Sequence, residues 1–175
     1  QDFTSRVCGV ELGGEVPGIG EAVKDFKNHD KVFGRTAGGA HAEFLVTEQS
    51  TLAKIPDNLS FVEAEAVPEA FITAHDAVFT QANLKQTETL LIHAVGSGVG
   101  LAGLQIAKAN GATVIGTSRT ADKLEKCIAF GLDLGLTTPE PIFAESVLEK
   151  TNGRGVDVIL DLAGQGRRPH LSALV

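Results

Sequence analysis

The rhythm of apolar positions changes about halfway along this chain. In residues 7–16, 31–34 and 42–46, apolar side chains alternate or cluster over short spans, with turn signals at Gly13-Gly14 and Gly38-Gly39. Short runs bounded by glycine predict strands, and the pattern suits a small twisted barrel of antiparallel strands. Gly18-Ile19-Gly20 and Asn28-His29-Asp30 read as further turns. Residues 55–60 read as a loop in which Ser60 caps a helix starting at Phe61.

After about residue 85 the period lengthens. Residues 89–94 form a continuous apolar run, the signature of a strand buried on both faces. A glycine loop follows, then a helix over 101–109 ended by Asn110-Gly111. The next elements are a strand over 113–117, a helix over 122–130 stopped by Gly131, a short strand over 134–136, a helix over 142–151 and a strand over 156–161. Strict strand–helix alternation predicts a parallel sheet with right-handed crossovers. The two textures join near residues 60–80, which divides the chain into 1–75 and 76–175.

Composition narrows the reading. The 175 residues are 43% hydrophobic and 21% charged, as in a globular protein. A net charge of −7 argues against nucleic acid as a partner, because that affinity rests on cations meeting phosphates. Two distant cysteines, Cys8 and Cys127, make a disulfide framework improbable and a reducing, cytoplasmic compartment the expectation. No apolar run approaches the roughly 18–20 residues that span a bilayer, and the first residues lack the profile of a signal peptide.

The candidate chemistry lies in Ala94-Val95-Gly96-Ser97-Gly98-Val99-Gly100, between a buried strand and a helix start. Glycines there let the backbone approach a diphosphate, whose charge rests on free N–H groups of the helix. The spacing departs from the dinucleotide fingerprint G-x-G-x-x-G, because Val95 and Ser97 stand at its first two glycines and only Gly100 is kept. A tight turn that binds nothing is the alternative. The next strand runs into Thr117-Ser118-Arg119, with Lys123 one turn on. NAD sites place an acid at that strand's end, whereas a hydroxyl with two cations attracts a 2′-phosphate, so NADPH is the expected cofactor. Solvated charges on a helix start are the alternative, since Asp122 lies between the cations. The expected cofactor-binding residues of this half are Gly96, Ser97, Gly98, Val99, Gly100, Ser118, Arg119 and Lys123.

Several runs carry a resemblance. Gly9 to Val16, Asp30 to Gly34 and Gly39 to Phe44 resemble the medium-chain dehydrogenase/reductase superfamily. Residues 67–74, 93–100 and 155–158 are similar to its zinc-free quinone oxidoreductases of the zeta-crystallin-like kind. The resemblance implies an α/β fold in which part of a GroES-like β-barrel domain, on the substrate side, precedes an incomplete Rossmann-type parallel sheet. It implies an NADPH-dependent oxidoreductase that passes hydride to a quinone or an α,β-unsaturated carbonyl. Thr73 matches the family threonine beside the nicotinamide, so it joins the cofactor-binding set; a capping or buried threonine is the alternative. No catalytic proton donor can be named. Zinc is not expected. Gly9-Val10-Glu11 stands where zinc enzymes carry Gly-His-Glu, Glu69 replaces a ligand cysteine, and the four-cysteine lobe is missing. Cys8, His29, His41, His75, His93 and His170 are scattered. Three departures stand out: Thr138 where NADPH-binding relatives carry tyrosine, His29 where a turn glycine is usual, and His41 where an aromatic is usual.

Family members are about twice this length by resemblance, so the chain is expected to be a truncated part of the enzyme, ending at residues 171–174 in the helix after the fourth strand. The flank of the strand at 156–160 would then lie open. Marginal stability or pairing into a homo-oligomer is expected, with weak or no catalysis. Two other readings stay open: an enoyl reductase acting on thioester-linked double bonds, and a non-catalytic nucleotide-binding remnant.

Overall fold

A computed structural model describes residues 7–138, 143–164 and 174. The chain divides into two compact units, Gln1–Ile72 and Thr73–Val175.

In the first unit, β1 (Glu11–Glu15), β2 (Lys31–Arg35) and β3 (Leu52–Lys54) form an antiparallel sheet in the order β1-β2-β3. Two expectations need correction. Gly13-Gly14 is no turn but lies within β1, opposite Phe33 and Val32. The glycine is required by packing, since a β-carbon on Gly13 would sit 3.0 Å from the Phe61 carbonyl oxygen. Residues 42–46 are irregular rather than a strand, and Phe44 and Val46 are 78% and 98% exposed. The third strand is β3, because side-chain-free Gly34 lets the Thr51 carbonyl and Leu52 close against β2.

His29 takes the turn between β1 and β2 in a left-handed conformation, φ 71°. That geometry costs a non-glycine residue roughly 1–2 kcal/mol. The turn is held by the His29 N–H on the Val16 carbonyl (2.9 Å) and by the ring Nδ1, 2.7 Å from Glu15 Oε1. Helix α1 (Phe61–Glu65) starts as expected at Ser60, with a reciprocal capping box between Ser60 and Glu63. Helix α2 (Pro68–His75) opens on a proline, whose missing N–H is not needed at a first helical position. The boundary between the units falls inside α2, and a π-helix, Asp76–Gln81, follows it.

The second unit alternates as the sequence predicts: β4 (Thr89–His93), α3 (Gly98–Ala109), β5 (Thr113–Ser118), α4 (Ala121–Ile128), β6 (Leu134–Thr137), α5 (Ala144–Lys150) and β7 (Val158–Asp161). The strands are parallel in the order β6-β5-β4-β7. All five residues of β4 are buried. Leu90 and Ile92 join one apolar cluster with Leu104, Val114 and Leu124, while Leu91 joins another with Ile115, Phe143 and Val147. Side chains alternate across a strand, so the unbroken apolar run of β4 supplies both layers at once.

Boundaries differ in detail. Helix α3 begins at Gly98, earlier than expected, because Ser97 caps it. Strand β7 is shorter than expected, and its predicted start at Val156 instead donates its N–H to the Leu174 carbonyl at 2.9 Å. Residue 142, the expected start of the fifth helix, and residues 171–173 of the expected terminal helix lie outside the described residues. Among the described residues β7 has a strand partner only in β4, and Val158 and Ile159 are half-buried. No helix among the described residues is long and apolar enough to cross a membrane.

Candidate functional site

The turn from β4 into α3 is built from internal bonds. His93 ends β4 fully buried, its Nδ1 2.8 Å from Thr117 Oγ1 and its ring edge-on to Phe143 at 4.3 Å. Ala94 adopts a left-handed conformation, φ 54°. Buried Val95 ties the turn to β5 through its N–H on the Thr117 carbonyl at 3.1 Å. The Ser97 N–H donates to the Ala94 carbonyl at 2.9 Å, and the Gly100 N–H donates to Ser97 Oγ at 3.2 Å. A β-carbon on Gly100 would stand 2.7 Å from the carbonyl oxygens of both Ala94 and Val95, so glycine is obligatory there.

This bonding corrects one expectation. The amide of Val95 is taken by the Thr117 carbonyl of β5, and those of Ser97 and Gly100 are satisfied within the turn, so these three are not free for a ligand. The N–H groups at the first two positions of α3, on Gly98 and Val99, have no intrahelical acceptor. They form the positive end of the α3 dipole, the ordinary seat for an anion.

The other predicted residues flank this turn unequally. Ser118, the last residue of β5, is buried, and its hydroxyl oxygen accepts the Thr120 N–H at 3.3 Å. Its carbonyl accepts the N–H of Thr138 at 2.8 Å, which places Thr138, itself buried, beside the end of β5. Arg119 and Lys123 are exposed. Lys123 lies on the glycine turn, since a β-carbon on Gly96 would be 3.4 Å from Lys123 Cβ and 3.6 Å from its Cδ. No spacing in the sequence announced that contact. Asp122 stands in the first turn of α4, and the Thr120 hydroxyl first, with the Lys123 N–H, holds its carboxyl below the usual 3.8. Thr73 is exposed in the second half of α2, so it is neither a cap nor a buried threonine.

The positions aligned with a zinc site hold charges already engaged. Glu11 and Arg35 are register partners across β1 and β2. Glu11 Oε1 accepts the Glu69 N–H at 2.8 Å and so caps α2, while Arg35 Nε meets Glu69 Oε2 at 2.8 Å. Sequence reasoning missed Arg35, whose role follows only from strand pairing. The His41 ring lies against Gly9, and the His41 backbone N–H donates to the Cys8 carbonyl at 2.9 Å. Burial pushes the Cys127 thiol up. Zinc needs several nitrogen or sulfur donors converging on one point. Among the described residues no group of three His, Cys, Asp or Glu side chains can hold a metal, and a guanidinium already neutralises Glu69. The donor set does not fit zinc. His170 lies outside the described residues. A cleft of about 1070 Å³ in the first unit, lined by Val10, Ile19, Phe44, Val46 and Val62 among others, contains none of the predicted site residues.

A parallel sheet with a glycine turn opening a helix at the carboxyl end of a central strand defines a Rossmann-type domain. Comparison with known proteins agrees. A family model described as zinc-binding dehydrogenase matches residues 98–170. The chain is 40% identical over 155 residues to erythronolide synthase EryA2 of Saccharopolyspora erythraea, covering 87% of this chain and 4% of that protein. It is 30% identical over 155 residues to the quinone oxidoreductase of Pongo abelii, covering 88% of this chain and 47% of that protein. Among solved structures it resembles the CurK enoyl reductase, with TM-score 0.89 and 30% identity over 97% of this chain and 51% of that one. A Pseudomonas syringae quinone oxidoreductase gives TM-score 0.85 and 33% identity over 96% of this chain and 52% of that one. The chain thus spans about half the length of the quinone oxidoreductases it matches. It is similar to quinone oxidoreductases and enoyl reductases of the medium-chain dehydrogenase/reductase superfamily.

Proposed function

We propose that this chain carries the cofactor-holding part of an NADPH-dependent oxidoreductase that passes hydride, without zinc, to a quinone or an α,β-unsaturated carbonyl. The observation that carries the reading is the start of α3, where the amides of Gly98 and Val99 have no intrahelical acceptor, after a glycine turn whose Gly96 lies against Lys123. In this reading those amides, with Gly96, Ser97 and the close approach allowed by Gly100, take the diphosphate. Ser118, Arg119 and Lys123 hold the 2′-phosphate, and exposed Thr73 lies beside the nicotinamide. The bound cofactor supplies the hydride; the protein's part is to fix it in reach of a polarised acceptor. The capped carboxylate of Glu11 and the paired one of Glu69 support a reaction that does not use a metal. An exposed Cys8 and a buried, unbridged Cys127 accord with a reducing, cytoplasmic setting.

The test is a fluorescence titration of the 175-residue chain with NADPH and NADH side by side. Tighter NADPH binding is expected, and equal affinities would remove the roles given to Ser118, Arg119 and Lys123. The 40% identity to erythronolide synthase and the likeness to the CurK enoyl reductase favour a second reading, in which the acceptor is an enoyl thioester. Following NADPH consumption with a crotonyl thioester and with a simple quinone separates the two acceptors. Tight binding with neither acceptor reduced marks a binding-only remnant.

A further inference from the structure

We infer that His93 and Thr117 are positioning residues of the cofactor site, whose side-chain bond fixes the spacing between the turn assigned to the diphosphate and the corner assigned to the 2′-phosphate. The inference rests on the cofactor reading above and concerns two residues that are not among those assigned to the cofactor. The register pairing of β4 with β5 ends at Ile92 opposite Gly116. One residue further along, His93 and Thr117 are both buried, and His93 Nδ1 lies 2.8 Å from Thr117 Oγ1. The His93 ring is fixed in turn by Phe143, edge-on at 4.3 Å. Thr117 is held a second time, because its carbonyl accepts the Val95 N–H at 3.1 Å. Val95 is also seated by shape, since a β-carbon on Gly116 would stand 2.6 Å from Val95 Cγ1. Where the backbone ladder stops, a side-chain pair and one turn amide carry the junction of the two strand ends.

The position of this bond gives it a role beyond the fold. Two buried polar groups pair in any protein interior, but these two stand directly before the two parts of the proposed site. Ala94 and the glycine turn follow His93, and Ser118 with Arg119 follows Thr117. The Ser118 end is itself anchored, its carbonyl accepting the Thr138 N–H at 2.8 Å and its Oγ accepting the Thr120 N–H at 3.3 Å. Thr117 is therefore the joint: a shift of its side chain or carbonyl moves the diphosphate turn against an anchored corner. NADPH carries its diphosphate and its 2′-phosphate at a covalently limited separation, so affinity for the whole molecule depends on that spacing. A fragment that fills one part alone is indifferent to it.

The experiment measures dissociation constants for NADPH, NADH, adenosine 2′-monophosphate and inorganic diphosphate, with thermal unfolding alongside. It compares the unmodified 175-residue chain with Thr117→Val, Thr117→Ser and His93→Leu. Valine keeps the shape of threonine and removes the hydroxyl. In Thr117→Val and His93→Leu the NADPH dissociation constant should rise about two- to tenfold, the range set by the net worth of one hydrogen bond. Both fragments should bind as they do to the unmodified chain, and Thr117→Ser, which keeps a hydroxyl, should retain NADPH affinity. Suppose the unmodified chain prefers NADPH to NADH. If Thr117→Val then leaves NADPH affinity unchanged, weakens the fragments as much as NADPH, or is matched by Thr117→Ser, the inference fails and the cofactor reading stands. Loss of cooperative unfolding in Thr117→Val overturns it too, because the bond then holds the fold and not the spacing. Unchanged NADPH affinity in a folded His93→Leu has the same force; if that variant does not fold, the two threonine variants decide. If the unmodified chain binds both cofactors equally, or neither, the cofactor reading fails and the inference with it.

Discussion

Helices α2 and α3 start in opposite ways, although both begin at turns beside a sheet. At α2 the chain closes the helix itself. Glu11, brought from β1, accepts the Glu69 N–H at 2.8 Å, and Arg35 from β2 neutralises Glu69 at 2.8 Å. At α3 only the third amide is closed, by Ser97 on Gly100, and the amides of Gly98 and Val99 have no intrahelical acceptor. A helix start that satisfies itself has no charge left to offer a ligand, whereas an open one is an anion seat. The contrast explains how positions aligned with a metal site can be structural here while the start of α3 leaves two amides without an intrahelical acceptor.

Substitutions can break or sharpen that contrast. The largest effect is expected from Gly100→Val, because even a β-carbon would meet two carbonyl oxygens at 2.7 Å. Overpacking of this kind costs about 1–3 kcal/mol, and dinucleotide affinity should fall at least about tenfold, equivalent to about 1.4 kcal/mol. Titration and thermal unfolding check both, and undiminished binding would break the assignment of this turn. Next comes Glu11→Ala, which strips the cap from α2 and should cost about 1 kcal/mol in urea unfolding. Its dinucleotide affinity should not change; a tenfold loss would show that the two helix starts are not distinct in role. Ser97→Ala should lower stability by a similar amount of about 1 kcal/mol, and Ser97→Gly by only a few tenths. If glycine costs as much as alanine, the hydroxyl is not acting as a cap.

Two smaller effects test the self-satisfied side. Arg35→Gln removes an exposed pair in which both side chains are nearly half accessible, and should cost about 0.2–1 kcal/mol, less as salt rises. A salt-independent loss would mean that Arg35 acts through packing instead. Helix α1 is closed by its own acid as well: the Ser60 hydroxyl, then its N–H, hold the Glu63 carboxyl below the usual 4.5. A depressed folded value means that its contribution is complete above 4.5 and is lost as pH falls through the lower value. The carboxyl midpoint followed by NMR should lie below 4.5 and move back toward it in Ser60→Ala. A midpoint that Ser60→Ala leaves in place would exclude the capping box as the cause.

Legibility differed between the units for a physical reason. In the second unit β4 and most of β5 are buried on two faces, and α3 lies between the Ser97 cap and Asn110-Gly111, so local pattern nearly sufficed. Ser60 and Gly131 were readable for the same reason. In the first unit the pattern misled. Gly13-Gly14 resembles a turn but gives way to α1, and Phe44 and Val46 resemble a strand but stand exposed. Strand β3, only Leu52–Lys54, has too little alternation to announce itself and forms because Gly34 admits its backbone.

The sequence alone determined the alternating order of the second unit, the place of its glycine turn and the absence of an acid at the end of β5, because periodicity and turn chemistry act between near neighbours. Only the tertiary structure decided the strand order β6-β5-β4-β7, the seat of Lys123 on Gly96, and the closure of α2 by Glu11 and Arg35. Those contacts join residues far apart in the chain. Which amides are closed and which stay open depends on what the fold brings against them, and no local pattern records that.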